Sequence, residues 1–104
     1  MITITDPKLL SLAKMMADQS IERLQADDLA CETNVNAAKN VVIKNGKKYI
    51  KVDQGNSGKY MVVKATGEIF GIKAYGVIHR GHSYGTLDTI TQWNWGGYRA
   101  VPKS

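Results

Sequence analysis

Residues 58–89, GKYMVVKATGEIFGIKAYGVIHRGHSYGTLDT, read as two successive pairs of β-strands. The first pair spans residues 59–73, where KYMVVK and EIFGIK flank a short segment that ends in Gly67. Because glycine adopts a left-handed conformation at little cost, we predict a three-residue loop with a bulge at Gly67. This loop would place Val62 opposite Phe70 and leave both faces of the pair largely apolar. Such strands are typical of a sheet centre with a helix packed on one face.

The second pair spans residues 77–86, and we predict that Arg80-Gly81 closes it as a hairpin. That turn would set His79 opposite His82 at a basic, aromatic tip. Arginine and imidazole groups contact phosphates, and tyrosine rings stack on bases or fill pockets. The tip is therefore a candidate recognition surface, with an ordinary exposed turn as the alternative. Its candidate binding residues are Tyr75, His79, Arg80, His82 and Tyr84.

Two histidines do not by themselves indicate catalysis or a metal site. Structural zinc usually takes four ligands, and beyond the histidines the sequence offers only Cys31 and a few carboxylates. Histidine can act as a general base near neutral pH, but no nucleophile motif accompanies either side chain. We therefore expect no catalytic residue, no metal and no cofactor. A small enzyme that depends on His79 and His82 is the less favoured alternative.

Residues 41–52, VVIKNGKKYIKV, carry the strongest local turn signal in the chain. Asn-Gly between two β-rich runs predicts a two-residue type I′ turn, because both central positions need positive φ. This turn would pair Lys44 with Lys47 and Val42 with Tyr49. Alternation along the strands then produces one apolar face and one basic face. The candidate binding residues of the basic face are Lys44, Lys47, Tyr49 and Lys51.

The distribution of charge also favours an anionic partner. Residues 1–39 carry four basic and six acidic side chains, whereas residues 40–104 carry ten basic and three acidic side chains and every aromatic residue. Lysines that face one another across a strand pair repel, so their presence favours a partner such as nucleic acid. The alternative is an edge hairpin whose lysines discourage pairing with other chains.

The N-terminal segment predicts one long amphipathic helix over about residues 6–30. Asp6 can accept a hydrogen bond from a free amide of the first turn, and Pro7 suits the first helical position. We expect the apolar face of this helix to pack on the sheet, with docking to a partner as the alternative. Apolar residues recur at helical spacing in two adjacent stripes, Leu9, Leu12 and Met16 beside Leu10, Ala13, Ala17, Ile21 and Leu24.

The remaining segments are predicted to be a connection, a closing element and a tail. Residues 31–40 are polar and rich in asparagine, which indicates a connection. We expect Trp93 to enter the core from the sheet side opposite the helix. For Trp95 and Tyr98 the sequence allows two roles, a place in the core or contact with a partner. Residues 102–104 are the predicted tail.

Length and composition indicate a single domain in a reducing compartment. A chain of 104 residues buries roughly two-thirds of its unfolded surface, enough for one core. One cysteine cannot form an intrachain disulfide. The N-terminus lacks the pattern of a signal peptide, and the apolar runs are shorter than the roughly 20 residues of a membrane span. We therefore expect a cytoplasmic monomer or homodimer that does not bind membranes.

The C-terminal half resembles small accessory proteins carried by bacteriophages and prophages. The likeness covers about residues 58–99 and rests on SGKYMV, TGEIFGIKAYGVIHRGHSYGTLDTI and the pattern W-x-W-x-G-Y. It implies a phage or mobile-element gene that acts in a bacterial cytoplasm, and it assigns no site residue. Small phage proteins often inhibit or modulate host machinery by binding, with anti-CRISPR proteins among them.

These observations predict an α+β fold, in which an N-terminal amphipathic helix packs on an antiparallel β-meander of four to six strands. The strands come from hairpins over residues 41–52, 59–73 and 77–86. The predicted function is that of a non-enzymatic, phage-encoded protein that binds a host protein or nucleoprotein complex through a basic, aromatic sheet surface. The alternative is direct binding of DNA or RNA. Mimicry of DNA is not expected, because a mimic would be acidic.

Overall fold

The fold is α+β, as predicted, with α-helices packed on one face of an antiparallel sheet. The computed structural model describes residues 2–55, 57–74, 77–97 and 100–103. Its helices are α1 (Pro7–Ala26) and α2 (Glu32–Lys39), with a 3-10 helix at Leu87–Gln92. The main sheet holds β1 (Val41–Asn45), β2 (Tyr49–Gln54), β3 (Ser57–Val63), β4 (Glu68–Ala74) and β5 (Val77–Thr86) in that spatial order, and β6 (Trp93–Asn94) pairs with β7 (Val101–Pro102).

Helix α1 begins where the sequence predicts and buries the first of its two stripes. The Asp6 carboxylate accepts a hydrogen bond from the Lys8 amide at 2.8 Å, and proline occupies the first helical position. Leu9, Leu12 and Met16 are fully buried in the core, and each contributes about 1.5–3 kcal/mol by leaving water. The second stripe is half-buried or exposed. The helix therefore packs on the sheet through a narrower face than predicted.

Helix α2 replaces part of the predicted connection over residues 31–40. Its sequence, ETNVNAAK, has weak helix propensity, which is why the pattern alone missed it. Tertiary contacts supply the missing stability, because Ala38 is buried and its carbonyl accepts a hydrogen bond from Gln54 Nε2 at 3.0 Å. None of the helices in the described residues is both long and apolar enough to cross a membrane.

The β1–β2 hairpin has a different register from the predicted one. Lys44 lies opposite Lys51, not Lys47, and the Gly46 amide donates to the Tyr49 carbonyl at 3.0 Å. The turn is thus centred two residues later, and neither Asn45 nor Gly46 has positive φ. The observed register pairs every residue of β1 with a residue between Ile50 and Gln54 of β2. A partner shift of four residues preserves alternation, so the predicted division into apolar and basic faces holds.

The β3–β4 hairpin confirms the left-handed Gly67, with φ of 77°, but its register differs by one residue. Val62 lies opposite Ile69, and Met61 lies opposite Phe70. The connection is therefore one residue longer than predicted. Each residue of β3 faces a residue of β4 that is one position earlier than predicted. Both faces of the pair are nonetheless buried.

Strand β5 replaces the predicted hairpin over residues 77–86. It pairs with β4 on both sides of residues 80–82, and Gly81 does not have the positive φ of a tight turn. Phe70 lies opposite Ser83 while Gly71 lies opposite His79, so residues 80–82 form a bulge without partners in the register. Pairing with β4 provides hydrogen bonds for more backbone groups than a short hairpin would. This explains why the predicted turn at Arg80-Gly81 does not form.

The C-terminal segment closes the core on the same side of the sheet as α1, not on the opposite side. Trp95 is 1% exposed, its amide donates to Gln19 Oε1 of α1 at 2.6 Å, and its indole N–H donates to the Ile90 carbonyl at 2.9 Å. Trp93 is half-buried and packs against the edge of the core. Tyr98 lies outside the described residues. The tail begins later than predicted, because β7 includes Pro102.

Candidate functional site

The face of the main sheet turned away from α1 carries most of the predicted basic residues, and we call it the outer face. Lys51 alternates with Ile50 and Val52, whose side chains enter the core with α1. The register aligns Lys51 with Met61, and Met61 with Phe70. We define the outer face by Lys44, Tyr49, Lys51, Met61, Phe70 and Arg80. It is apolar at its centre and basic at its rim.

Arg80 is directed onto the outer face by the bulge in β5. Its Nη2 donates a hydrogen bond to the Tyr49 hydroxyl at 3.0 Å, and its Cζ lies 5.7 Å from the centre of the Phe70 ring. The guanidinium thus covers an aromatic ring that is only 6% exposed. Arg80 thus adds one residue of the predicted tip to the lysine surface of β1 and β2.

Lysines flank this arginine on β1, β2 and their turn. Lys44 and Lys51 lie directly opposite one another, and Lys47 is exposed in the turn. The carboxylate of Asp53 is buried and lies 3.2 Å from Lys44 Nζ. Because this ion pair reduces the repulsion between Lys44 and Lys51, the cross-strand lysine pair costs less than the sequence suggests.

His79, His82 and Tyr84 lie on the α1 side of the sheet, away from the outer face. A Cβ at Gly71, the neighbour of Phe70 in β4, would lie 3.2 Å from His82 Cβ and 3.4 Å from the Tyr84 hydroxyl. Tyr84 is in the core and makes an edge-to-face contact with Tyr60. The predicted tip is therefore divided between two faces, with Arg80 on one and its neighbours on the other. Tyr75 lies outside the described residues.

The two imidazoles form a compact stack. Their ring centres are 4.0 Å apart and their planes differ by 12°. A Cβ at Gly81 would lie 3.0 Å from His79 Cε1, so glycine allows the bulge to fold over this ring. Within the described residues, no three His, Cys, Asp or Glu side chains gather in a way that could hold a metal ion.

A groove on the α1 side contains polar residues that the sequence analysis did not select. Lys59 is half-buried there, and its ammonium donates to the Gly97 carbonyl at 3.5 Å. Burial lowers the pKa of Lys59. The one hint in the sequence is Gly58, which precedes Lys59. A glycine in or beside a strand often marks a β-bulge. The sequence predicts a regular strand at Lys59, and a lysine in a regular strand does not by itself indicate a site.

Comparisons of the chain with family models, with curated proteins and with solved structures yield no match.

Proposed function

We propose that this chain is a non-enzymatic binding protein and that the outer face is its contact surface. The observation that carries the proposal is the position of Arg80, which is hydrogen-bonded to Tyr49 and packed over Phe70. Arginine and tyrosine are enriched among the residues that dominate binding energies. Holding a guanidinium in place before binding reduces the conformational entropy that is lost on association.

The proposed partner is a bacterial host protein or nucleoprotein complex, which the chain inhibits or modulates in the cytoplasm. The basic rim favours an acidic surface on that partner, because complementary charge speeds association and excludes wrong partners. The resemblance of residues 58–99 to phage accessory proteins supports a host target, including a target in an anti-defence or anti-CRISPR role. No bond-making step is assigned to any residue.

Charge reversal on the outer face should abolish capture of a host partner. The variant Lys51→Glu/Arg80→Glu is compared with Lys14→Glu/Lys103→Glu, which has the same net charge but leaves the outer face intact. Tagged proteins are incubated with bacterial lysate, and retained proteins are quantified by mass spectrometry. We expect at least one protein to be retained by the wild type and the control and to fall about tenfold or more with the outer-face variant. If every retained protein is shared equally by all three, the proposal is wrong.

Direct binding of nucleic acid is a second candidate, favoured by the cross-strand pair of Lys44 and Lys51 beside Arg80. Affinity for DNA or RNA should then fall steeply between about 50 and 200 mM salt. The reason is that binding releases counterions from the phosphates, and a higher salt concentration opposes this release. Lys51→Ala and Arg80→Ala should each reduce the slope of log K against log salt by about 1. Lys14→Ala on α1 is the control and should leave the slope unchanged.

Fluorescence anisotropy with labelled single-stranded and duplex oligonucleotides provides the measurement. Salt-independent affinity, or no binding at the lowest salt concentration, would exclude this second candidate. A slope that changes as much with Lys14→Ala as with Arg80→Ala would show that binding is not located on the outer face.

A further inference from the structure

His79 and His82 lie at the two ends of the bulge in β5, the same bulge that directs Arg80 onto the outer face. Residues 80–82 have no partners in the register with β4, so side-chain contacts hold them in place. On the α1 side the two imidazoles stack with ring centres 4.0 Å apart, and we call this pair the histidine stack. On the outer face Arg80 Nη2 donates to the Tyr49 hydroxyl at 3.0 Å. The histidine stack and the contact between Arg80 and Tyr49 therefore hold the same bulge from opposite faces of the sheet.

One nitrogen of the histidine stack is buried without a hydrogen-bond partner. This atom is His79 Nδ1, and no donor or acceptor among the described residues reaches it. A neutral imidazole can keep a lone pair on this nitrogen, whereas a protonated imidazole has an N–H donor on both nitrogens. An unpaired buried donor costs more when it belongs to a charged group. Within the described residues, the stack therefore provides no acceptor for a proton at this nitrogen.

A second proton on the histidine stack would place two positive charges on rings that touch. One imidazolium can stack on a neutral imidazole, but two imidazolium ions repel, so the first proton opposes the second. Histidine changes its charge between about pH 8 and pH 5. Because separated rings bind the second proton more tightly than stacked rings do, the contribution of the stack to the bulge is complete at the upper end of this range and is lost as the pH falls.

The charged groups around the histidine stack are mostly cations. His82 lines the groove on the α1 side, and the carboxylate there, that of Asp27, lies 3.8 Å from Arg23 Nε. On β4 the Glu68 carboxylate accepts a hydrogen bond from the Thr66 hydroxyl at 3.0 Å. The described titratable and charged groups on the elements around the stack are Arg23 and Asp27 of α1, Lys59 and Tyr60 of β3, Glu68 and Lys73 of β4, and Arg80 and Tyr84 of β5. Cations outnumber carboxylates in this set, so these neighbours do not favour a second proton on the stack.

We propose that the histidine stack is a pH-sensitive switch of the outer face, in which a second proton separates the two rings, the bulge rearranges and Arg80 leaves Tyr49. The partner of the outer face is then held near neutral pH and released in acid. This inference rests on the proposed function for its consequence, because the switch controls binding only if the outer face is the contact surface. The movement of Arg80 itself can be measured in the free protein.

NMR spectra of the free protein between about pH 8 and pH 5 test the switch. The imidazole signals should report two separate protonation steps, and the nuclear Overhauser contacts between the Tyr49 ring and the Arg80 side chain should be lost over the second step. His79→Phe and His82→Phe each retain a flat ring at the stack but leave one group that titrates. Both variants should therefore keep the contacts between Tyr49 and Arg80 at every pH in the series.

Capture of partners from lysate at the two ends of the same pH range measures the consequence for binding. Retention by the wild type should fall about tenfold or more at the acid end, whereas retention by His82→Phe should change less, which separates the switch from any pH dependence of the partner. If no protein is retained through the outer face but the contacts between Tyr49 and Arg80 still respond to pH, the proposed function is wrong and the switch stands. The switch is overturned if those contacts persist in the wild type at the acid end, or if they are lost in either phenylalanine variant.

Discussion

Replacing Trp95 with alanine should lower the free energy of unfolding by about 3–5 kcal/mol. The indole is fully buried and makes edge-to-face contacts with Tyr60, with ring centres 5.3 Å apart. Alanine would leave a cavity in the core and remove one of the two hydrogen bonds to the Ile90 carbonyl, which also accepts from the Trp93 amide. Because native domains are stable by only about 5–15 kcal/mol, a large fraction of the stability would be lost.

Urea denaturation followed by circular dichroism measures this effect. Trp93→Ala is the matched control, since Trp93 is half-buried and contacts Tyr84 from the edge of the core. Its loss should be smaller, about 1–2 kcal/mol. Trp95→Phe retains a ring but loses the N–H donor, and should fall between the two. An equal loss for Trp93→Ala and Trp95→Ala would contradict the assignment of Trp95 as the central side chain.

Substitution of alanine for Gly96 should destabilise the protein by about 3 kcal/mol, at the upper end for an overpacked site. A Cβ at Gly96 would lie 2.5 Å from the Gln19 carbonyl oxygen and 2.7 Å from its carbonyl carbon. These are backbone atoms of α1, which cannot rotate away as a side chain can. The C-terminal segment would have to separate from α1, and the hydrogen bond from the Trp95 amide to Gln19 would be weakened as well.

Thermal and urea unfolding of Gly96→Ala can be compared with Gly67→Ala. At Gly67 the left-handed backbone opposes a side chain, but the nearest atom to a Cβ would be 3.7 Å away. That variant should lose only about 1 kcal/mol. Similar losses in the two variants would show that contact between Gly96 and α1 is not a strong constraint.

The parts of the fold that could be predicted are those encoded by local pattern. The Asp6 cap, the Leu9 stripe and the alternation of β1 and β2 each depend on residues close in sequence, and each is present. The register of β1–β2 could not be predicted from Asn45-Gly46, because ladder length outweighed a turn preference worth little in comparison. Helix α2 was missed for a related reason, since its stability comes from Gln54 and Ala38 rather than from its own propensity.

The candidate site was predictable in composition but not in arrangement. Lysine and arginine were recognised as a basic surface, and Arg80 does join Tyr49. The bulge that makes this possible depends on pairing between β4 and β5, which no local rule reveals. The position of Lys59 could not be predicted for the same reason. Its side chain enters the groove because of a bulge that depends on the pairing of β3 with β2.

The bond between Arg80 and Tyr49 links residues 31 positions apart in the chain. Closing so large a loop costs conformational entropy. The pairing and packing of the intervening strands β3 and β4 offset this cost. A peptide copied from the first hairpin would contain Tyr49 and the lysines but not Arg80. An unfolded chain would contain all of these residues, but its guanidinium would not be held against Tyr49. The outer face is thus a discontinuous epitope: whatever recognises it recognises the assembled sheet and discriminates against immature or partly unfolded chains.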